Sequence, residues 1–216
     1  MDKIITISRQ YASGGREVGS LLAKEYGIPF YDNDLITRAA KESGFAEEAF
    51  RAAESKASNS FLYSIAMGMS SFGGREFGTA TLSLDDRIYL AQASAIKKIA
   101  DEGPCVIVGR CADHVLRERD NVIHVFLCAD MDFRVKRALP WGEIDPNKPE
   151  DSIRKIDKRR ANYYNYHSCE TWGKATNYDL TINTAVCGIE NTVKIIKSFI
   201  ESSGKIEHGH SPEGTE

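Results

Sequence analysis

The feature that most constrains this chain is a strand that runs through a glycine pair straight into a helix. The β-branched run Ile4-Ile5-Thr6-Ile7 leads through Ser8-Arg9-Gln10-Tyr11-Ala12-Ser13 to Gly14-Gly15, and Arg16-Glu17-Val18-Gly19-Ser20-Leu21-Leu22 follows without a break. Val18, Leu21, Leu22 and Tyr26 recur at helical spacing, and Gly27 with the nearby Pro29 stops the pattern. A helix mouth carries amide N–H groups without intrahelical partners and a partial positive charge. Strand, glycine turn, helix is therefore the order that sets an anion-binding site at the end of a strand.

Further β-branched or apolar runs occur at 105–108, 122–127 and 180–182, separated by longer helical patterns. This alternation predicts an α/β fold, a three-layer parallel sheet of about five strands flanked by helices. Helices are expected at about 34–42 and 85–100, the second with the stripe Ile88, Ala91, Ala95, Ile96 and Ile99. Between them the segment 54–82, rich in Ser, Gly, Met and Phe, is the least regular and reads as a mobile insertion over the sheet edge, not a separate domain. Inside it Gly73-Gly74-Arg75-Glu76-Phe77-Gly78 echoes the first loop, but no strand pattern precedes it, so the echo is read as coincidence.

Pro140, Pro146 and Pro149 make 139–149 a loop, the beginning of an expected lid over about 139–165. Glu150 and Asp151 suit a helix start, and Ile153, Ile156, Arg159, Arg160, Tyr163 and Tyr164 follow on that helix. The polar stretch 207–216 is expected to be disordered, which leaves 1–206 as a single domain.

With 42% hydrophobic residues in 216, the chain can fill one core, and with a net charge of only -3 nothing in the global balance argues for a polyanion partner, so no nucleic acid is expected. Five cysteines, odd in number and never spaced C-x-x-C, predict reduced thiols. Met1-Asp2-Lys3 runs directly into a strand and no apolar run approaches a membrane span, so a cytoplasmic protein without membrane attachment is expected. His124 lies inside an apolar strand and reads as a packed histidine, and no zinc-ligand spacing is present. Tyr163, Tyr164 and Tyr166 beside Arg159 and Arg160 are explained by helix packing better than by base stacking.

In the common phosphate loop, G-x-x-x-x-G-K-[ST], backbone amides cradle phosphates, the lysine reaches the outer ones and the hydroxyl holds magnesium. Setting Arg16 at the lysine position keeps Gly15 in register but places Gln10 at the first glycine and Glu17 at the hydroxyl position. Gly14 and Gly15 let the backbone approach an anion, Ser13 offers a hydroxyl, and Arg16 supplies a fork for two phosphate oxygens in place of a point charge. Glu17 is a candidate magnesium ligand, directly or through water, yet unneutralised it repels a triphosphate. An ordinary Gly-Gly turn after a strand is the competing account.

The neighbours of the loop carry a family likeness. Gly27-Ile28-Pro29-Phe30-Tyr31-Asp32-Asn33-Asp34-Leu35-Ile36-Thr37-Arg38 resembles the cytidylate kinase stretch G-x-P-x-L-D-[ST]-G-x-x-Y-R. Val106-Ile107-Val108-Gly109-Arg110-Cys111 resembles a core strand ending in G-R-D, with Cys111 in place of the Asp. Val122 to Leu127 with Asp130, Arg134 and Arg137 is similar to the fourth strand and lid helix, and Asp157 with Arg160 to the acidic and arginine pair of the lid. The loop is closer still to I-S-R-Q-x-G-S-G-G-R-x-[IV]-G of the cytidylate kinase-like proteins, departing only at Ala12. The runs Asp157 to Tyr164 and Trp172 to Leu180 also fit that group's D-x-x-R-x-x-Y-Y and W-G-x-x-x-x-Y-D-L.

The resemblance implies a P-loop NTPase-like fold, with 1–206 a single P-loop kinase-like domain and 54–82 an acceptor-binding insertion, and a kinase that uses ATP and Mg2+ to phosphorylate a nucleoside monophosphate, CMP or dCMP. It assigns Ser13, Gly14, Gly15, Arg16, Glu17, Arg134 and Arg137 to ATP and its phosphates, and Asp32, Asn33, Arg38, Arg110 and Asp157 to the acceptor. Arg16, Arg110 and Arg160 become the catalytic cations. Phosphoryl transfer needs two phosphates held in line under positive charge and little covalent chemistry, so arginines suffice for much of it. For Asp157 and Arg160, three residues apart, a helix-surface ion pair is the alternative; Arg38 and Arg137, taken singly, also read as solvated charges. Two other functions stay open: a catalytically weak nucleotide-binding or sensing module, and a same-fold kinase with another small acceptor. The segment around 61–77 is read either as a cover for the acceptor or as a homodimer contact.

Overall fold

The computed structural model describes residues 3–42 and 84–203; the expected insertion at 54–82, the 73–78 echo, the 61–77 contact and the 207–216 tail lie outside the described residues. The chain divides into two compact units, Met1–Phe30 with Pro104–Glu216, and Tyr31–Gly103.

The larger unit is built on β1 (Ile4–Arg9), β3 (Val106–Val108), β4 (Val122–Cys128) and β5 (Leu180–Asn183), with the two-residue β2 (Phe30–Tyr31) at its edge, in the order β2-β3-β1-β4-β5. β1 pairs in parallel with β3, Ile5 to Val106 and Ile7 to Val108, and with β4 from Ile4 opposite Val122 to Arg9 opposite Leu127. β4 in turn pairs in parallel with β5. Both sides of β1 are occupied, so Ile4 to Ser8 are all buried, as a central parallel strand requires.

Alternation along β1 sorts its side chains. Ile5 and Ile7 join Val106, Val108, Ile123, Val125, Leu127 and Ile182 in one cluster with Val18 and Leu22 of α1 (Gly15–Tyr26) and Val193 and Ile196 of α8 (Ile189–Ser203). Thr6 and Ser8 point the other way, Thr6 Oγ1 lying 2.8 Å from His124 Nδ1 and Ser8 Oγ accepting from Trp172 Nε1 at 3.1 Å. Burial holds His124 below the ordinary histidine range, so it is a packed neutral side chain. Gly27 ends α1 in the left-handed conformation (φ 64°), and Ile28 N donates to Ala23 O at 3.0 Å.

The second unit holds α2 (Asn33–Glu42) and α3 (Leu84–Glu102), which pack on each other and share a bond from Gln92 Nε2 to Thr37 Oγ1, 3.3 Å. In the larger unit α4 (Ala112–Val115) follows β3, α5 (Met131–Ala138) follows β4, and α7 (Thr184–Cys187) precedes α8. The proline-rich segment departs from a plain loop in two places. Leu139–Trp141 forms a 3-10 turn, and Pro149 opens α6 (Pro149–Ser168), because a first-turn proline loses no helical hydrogen bond. All five cysteines are free thiols. No described helix is long and apolar enough to cross a membrane.

Candidate functional site

In a parallel sheet of this order the chain leaves β1 toward β2 and β3 and later returns to the other side as β4, so the strand order reverses at β1. Ligands in such folds sit beyond the carboxyl ends of the strands at that point. The loop that follows β1 there is anchored from several sides. Gln10 N donates to Leu127 O (2.9 Å) and Gln10 Oε1 accepts from Ala129 N (3.1 Å), which pins the loop to the end of β4. Ala12 (φ 60°) and Gly14 (φ 87°) take the left-handed conformation and turn the chain into α1. A Cβ on Gly14 would lie 2.3 Å from Ile189 Cδ1, so the residue is glycine for packing as well as for its φ.

A cleft of about 960 Å³ opens over this turn, in the range of small-molecule sites. Its lining includes Gly14, Gly15, Arg16 and Glu17 from the loop and helix mouth, together with Arg9, Tyr11, Arg137, Trp141, Glu143 and Arg160. Four arginines against two glutamates make it electropositive although the whole chain carries -3. One glutamate is already neutralised: Arg137 Nη2 donates to Glu17 Oε2 at 2.6 Å, which answers the repulsion expected of Glu17. Arg137 also lies over the Phe133 ring (5.5 Å), so the reading of it as a lone solvated charge does not hold. The other glutamate accepts from Tyr11 Oη at 2.8 Å; burial and this bond push the Tyr11 hydroxyl up to about 12, keeping it a donor.

Three assigned residues sit elsewhere than expected. Ser13 is fully buried and gives its hydroxyl to Gln10 O (2.9 Å) and Leu127 O (3.2 Å), while its carbonyl accepts from Thr184 Oγ1 (2.7 Å). Its hydroxyl ties the loop to β4 and is not turned to the cleft. Arg134 is 5% exposed and is held by Asp157 Oδ2 and by Tyr11 O (3.4 Å). Asp157 also accepts from Tyr11 N at 2.7 Å, so its carboxylate joins the loop to α5 and α6 and does not line the cleft.

Asp157 and Arg160 are accordingly not a mutual surface pair. Arg160 donates to Arg9 O (3.1 Å) and lies over the Tyr11 ring (5.5 Å); burial lowers its pKa, while Asp157 and Tyr11 raise it. Tyr11 is thus the centre of a knot that sequence reasoning passed over, its ring also meeting Trp141 edge-on at 5.8 Å. The signal was present as an aromatic inside a glycine loop, but its partners lie more than a hundred residues away.

The turn after β3 also reaches the carboxyl edge. Gly109, Arg110 and Cys111 have φ of 86°, 56° and 55°, a sharp reversal that sets Arg110 6.0 Å over the Tyr163 ring. Its buried Nε has no hydrogen-bond partner among the described residues. Cys111 is buried and its thiol is pushed up to about 12 by desolvation, so it is inert. Asp113, which sequence reasoning did not single out, is 5% exposed, and burial raises its carboxyl to about 6. It sits against the Tyr164 hydroxyl, which donates to Glu170 Oε2 at 3.2 Å.

Asp32, Asn33 and Arg38 belong to the second unit. Asp32 Oδ1 accepts from Asp34 N (3.1 Å) and Leu35 N (3.2 Å), capping α2; Asn33 O accepts from Thr37 Oγ1 (2.7 Å), and Arg38 follows on the same helix. No group of three or more His, Cys, Asp or Glu that could hold a metal occurs among the described residues.

Residues 4–186 match the model of the cytidylate kinase-like family. A curated cytidylate kinase from Desulfurococcus amylolyticus is 27% identical over 120 residues, 55% of this chain and 63% of that protein. The solved structure of an uncharacterized protein from Eubacterium ventriosum is similar at TM-score 0.69 and 26% identity, covering 93% of this chain and 99% of that one. A shikimate kinase from Bacteroides thetaiotaomicron (14% identity, TM-score 0.55) and a gluconokinase from Sinorhizobium meliloti (15%, 0.52) share the fold. The shikimate kinase alignment covers 93% of this chain and 99% of that one; the gluconokinase alignment covers 94% and 96%.

Proposed function

Since the chain belongs to the cytidylate kinase-like family, we propose that it transfers the γ-phosphate of ATP to a nucleoside monophosphate, CMP or dCMP. The observation that carries this reading is the arginine-lined cleft over the glycine turn at the mouth of α1. Amides of the first helical turn and the Arg16 fork hold the donor's phosphates. Arg137 and Arg160 add positive charge over the group in transfer, and Arg110 takes the acceptor phosphate at the end of β3. Asp32, Asn33 and Arg38 keep the acceptor roles that the resemblance gives them. Ser13, Arg134 and Asp157 serve by holding the loop in shape, since the Ser13 hydroxyl, Arg134 Nη1 and the Asp157 carboxylate are spent on it.

Magnesium in kinases is held by one or two carboxylates together with substrate phosphates, which suits the single carboxylate of Glu17 at the helix mouth. When bound, the ion would neutralise charge on the transferred phosphates. The chain's own residues orient the two phosphates; a phosphate oxygen as acceptor needs no general base.

A second reading has its own support. Arg134 is committed to Asp157 and Glu17 to Arg137, which favours a nucleotide-binding module with weak turnover. A kinase of the same fold with another small acceptor is the third. An ADP-release assay with ATP, Mg2+ and a panel of monophosphates separates them. We expect turnover with CMP or dCMP, and a fall of roughly 100-fold or more in kcat/KM for both Arg16→Ala and Arg110→Ala. ATP binding without turnover on any acceptor selects the module; turnover on another acceptor selects the third reading.

A further inference from the structure

We propose that Arg9 is a phosphate-binding residue of the loop, gripping the same polyphosphate tail as the helix-mouth amides and Arg16. This rests on the nucleotide-kinase reading of the cleft. Arg9 ends β1, a position where an arginine ordinarily reads as a solvated strand terminus.

Its stem, however, stays on the protein. A Cβ placed on Gly15 would lie 2.8 Å from Arg9 Cβ, 2.6 Å from Cγ and 3.4 Å from Cδ, so three carbons of the side chain cross the backbone of the first helical residue. Gly15 is glycine here because Arg9 occupies the space its side chain would need. A stem laid across the helix mouth keeps the guanidinium at that mouth, and Arg9 lines the cleft with Gly14, Gly15 and Arg16. The backbone is fixed from behind, since Arg160 donates to Arg9 O at 3.1 Å and is itself stacked on Tyr11.

Two planar forks, one from the strand and one from the helix, thus stand where the common loop has a single lysine. Each can hold two phosphate oxygens, and together they match a polyphosphate better than a lone anion. If packing of the stem over Gly15 were its whole role, removing the charge would leave phosphate binding unchanged, so the two accounts differ in what charge removal does.

Arg9→Met keeps an unbranched stem over Gly15 and removes the charge; Arg9→Lys restores charge without the fork. Calorimetric titration of the full chain with ATP and with inorganic tripolyphosphate, each with Mg2+, reads the outcome. We expect Kd for both probes to rise at least about tenfold in Arg9→Met, with partial recovery in Arg9→Lys and an unliganded Tm within about 2 °C of wild type. Binding within twofold of wild type, or an affinity loss that follows a fall in Tm, overturns the proposal. Wild-type binding of tripolyphosphate that is weakened in Arg9→Met, without kinase turnover, upholds the role of Arg9 and removes the kinase reading. A wild type that binds neither probe overturns both.

Discussion

At the residue scale, the pairing of Arg137 with Glu17 decides how an acidic residue can stand in the proposed phosphate site. Both side chains are partly exposed, so the ion pair itself contributes no more than about 1 kcal/mol to stability. Its larger effect is on ligand charge: without Arg137, the Glu17 carboxylate faces incoming phosphates uncompensated. Arg137→Met is therefore expected to lower Tm by only a few degrees and to weaken binding of ATP without Mg2+ roughly tenfold or more, with Arg137→Met/Glu17→Gln recovering part of the loss. Titration of the two variants checks this, and equal affinity in both would remove Glu17 as the cause. Glu17 and Arg137 were legible singly, one as a loop residue and the other on the helix after β4. Their pairing was not, because 120 positions separate them and nothing local demands it.

At the element scale, the loop after β1 owes its shape to helices that follow much later in the chain. Asp157 of α6 accepts from Tyr11 N and holds Arg134 of α5, so one carboxylate joins three elements. Removing it leaves a buried guanidinium without its counter-charge, an arrangement that costs about 3–5 kcal/mol when one partner of a buried pair is lost. Asp157→Asn keeps the shape and an acceptor oxygen but not the charge. We expect it to lose about 2–4 kcal/mol in urea unfolding and to speed hydrogen exchange at Tyr11 N selectively. A loss below 1 kcal/mol with unchanged exchange would show the junction to be incidental. The helix α6 was readable from its pattern of Ile153, Ile156 and Tyr164, and its arginines and aspartate from the family likeness. That Asp157 turns inward to the loop depended on the packing of α6 and could not be read from its spacing to Arg160.

At the scale of the whole molecule, the buried network beside the turn after β3 makes stability depend on pH. Asp113 is surrounded by Tyr164, Tyr178, Glu170 and Cys111, with Arg110 on the same turn, and burial raises its carboxyl to about 6. The native state keeps this proton to a higher pH than the unfolded chain, whose Asp titrates near 3.9. The stability it contributes is therefore present below about pH 4 and is lost as pH rises through about 6. Asp113→Asn should gain on wild type by up to about 3 kcal/mol between pH 4 and pH 7, read as the change in their difference in urea unfolding. A difference that stays constant with pH would place the carboxyl in water. The sequence by itself determined the parallel α/β frame, the helix mouth after β1 and the family, because strand runs, helical periodicity and glycine turns are local properties. Tertiary structure decided which polar atoms face the cleft. Ser13, Arg134 and Asp157 turned to the scaffold, and Arg9, Tyr11, Trp141 and Glu143 came to the cleft, since a side chain's partner is set by elements far apart in the chain that only packing brings within hydrogen-bond reach.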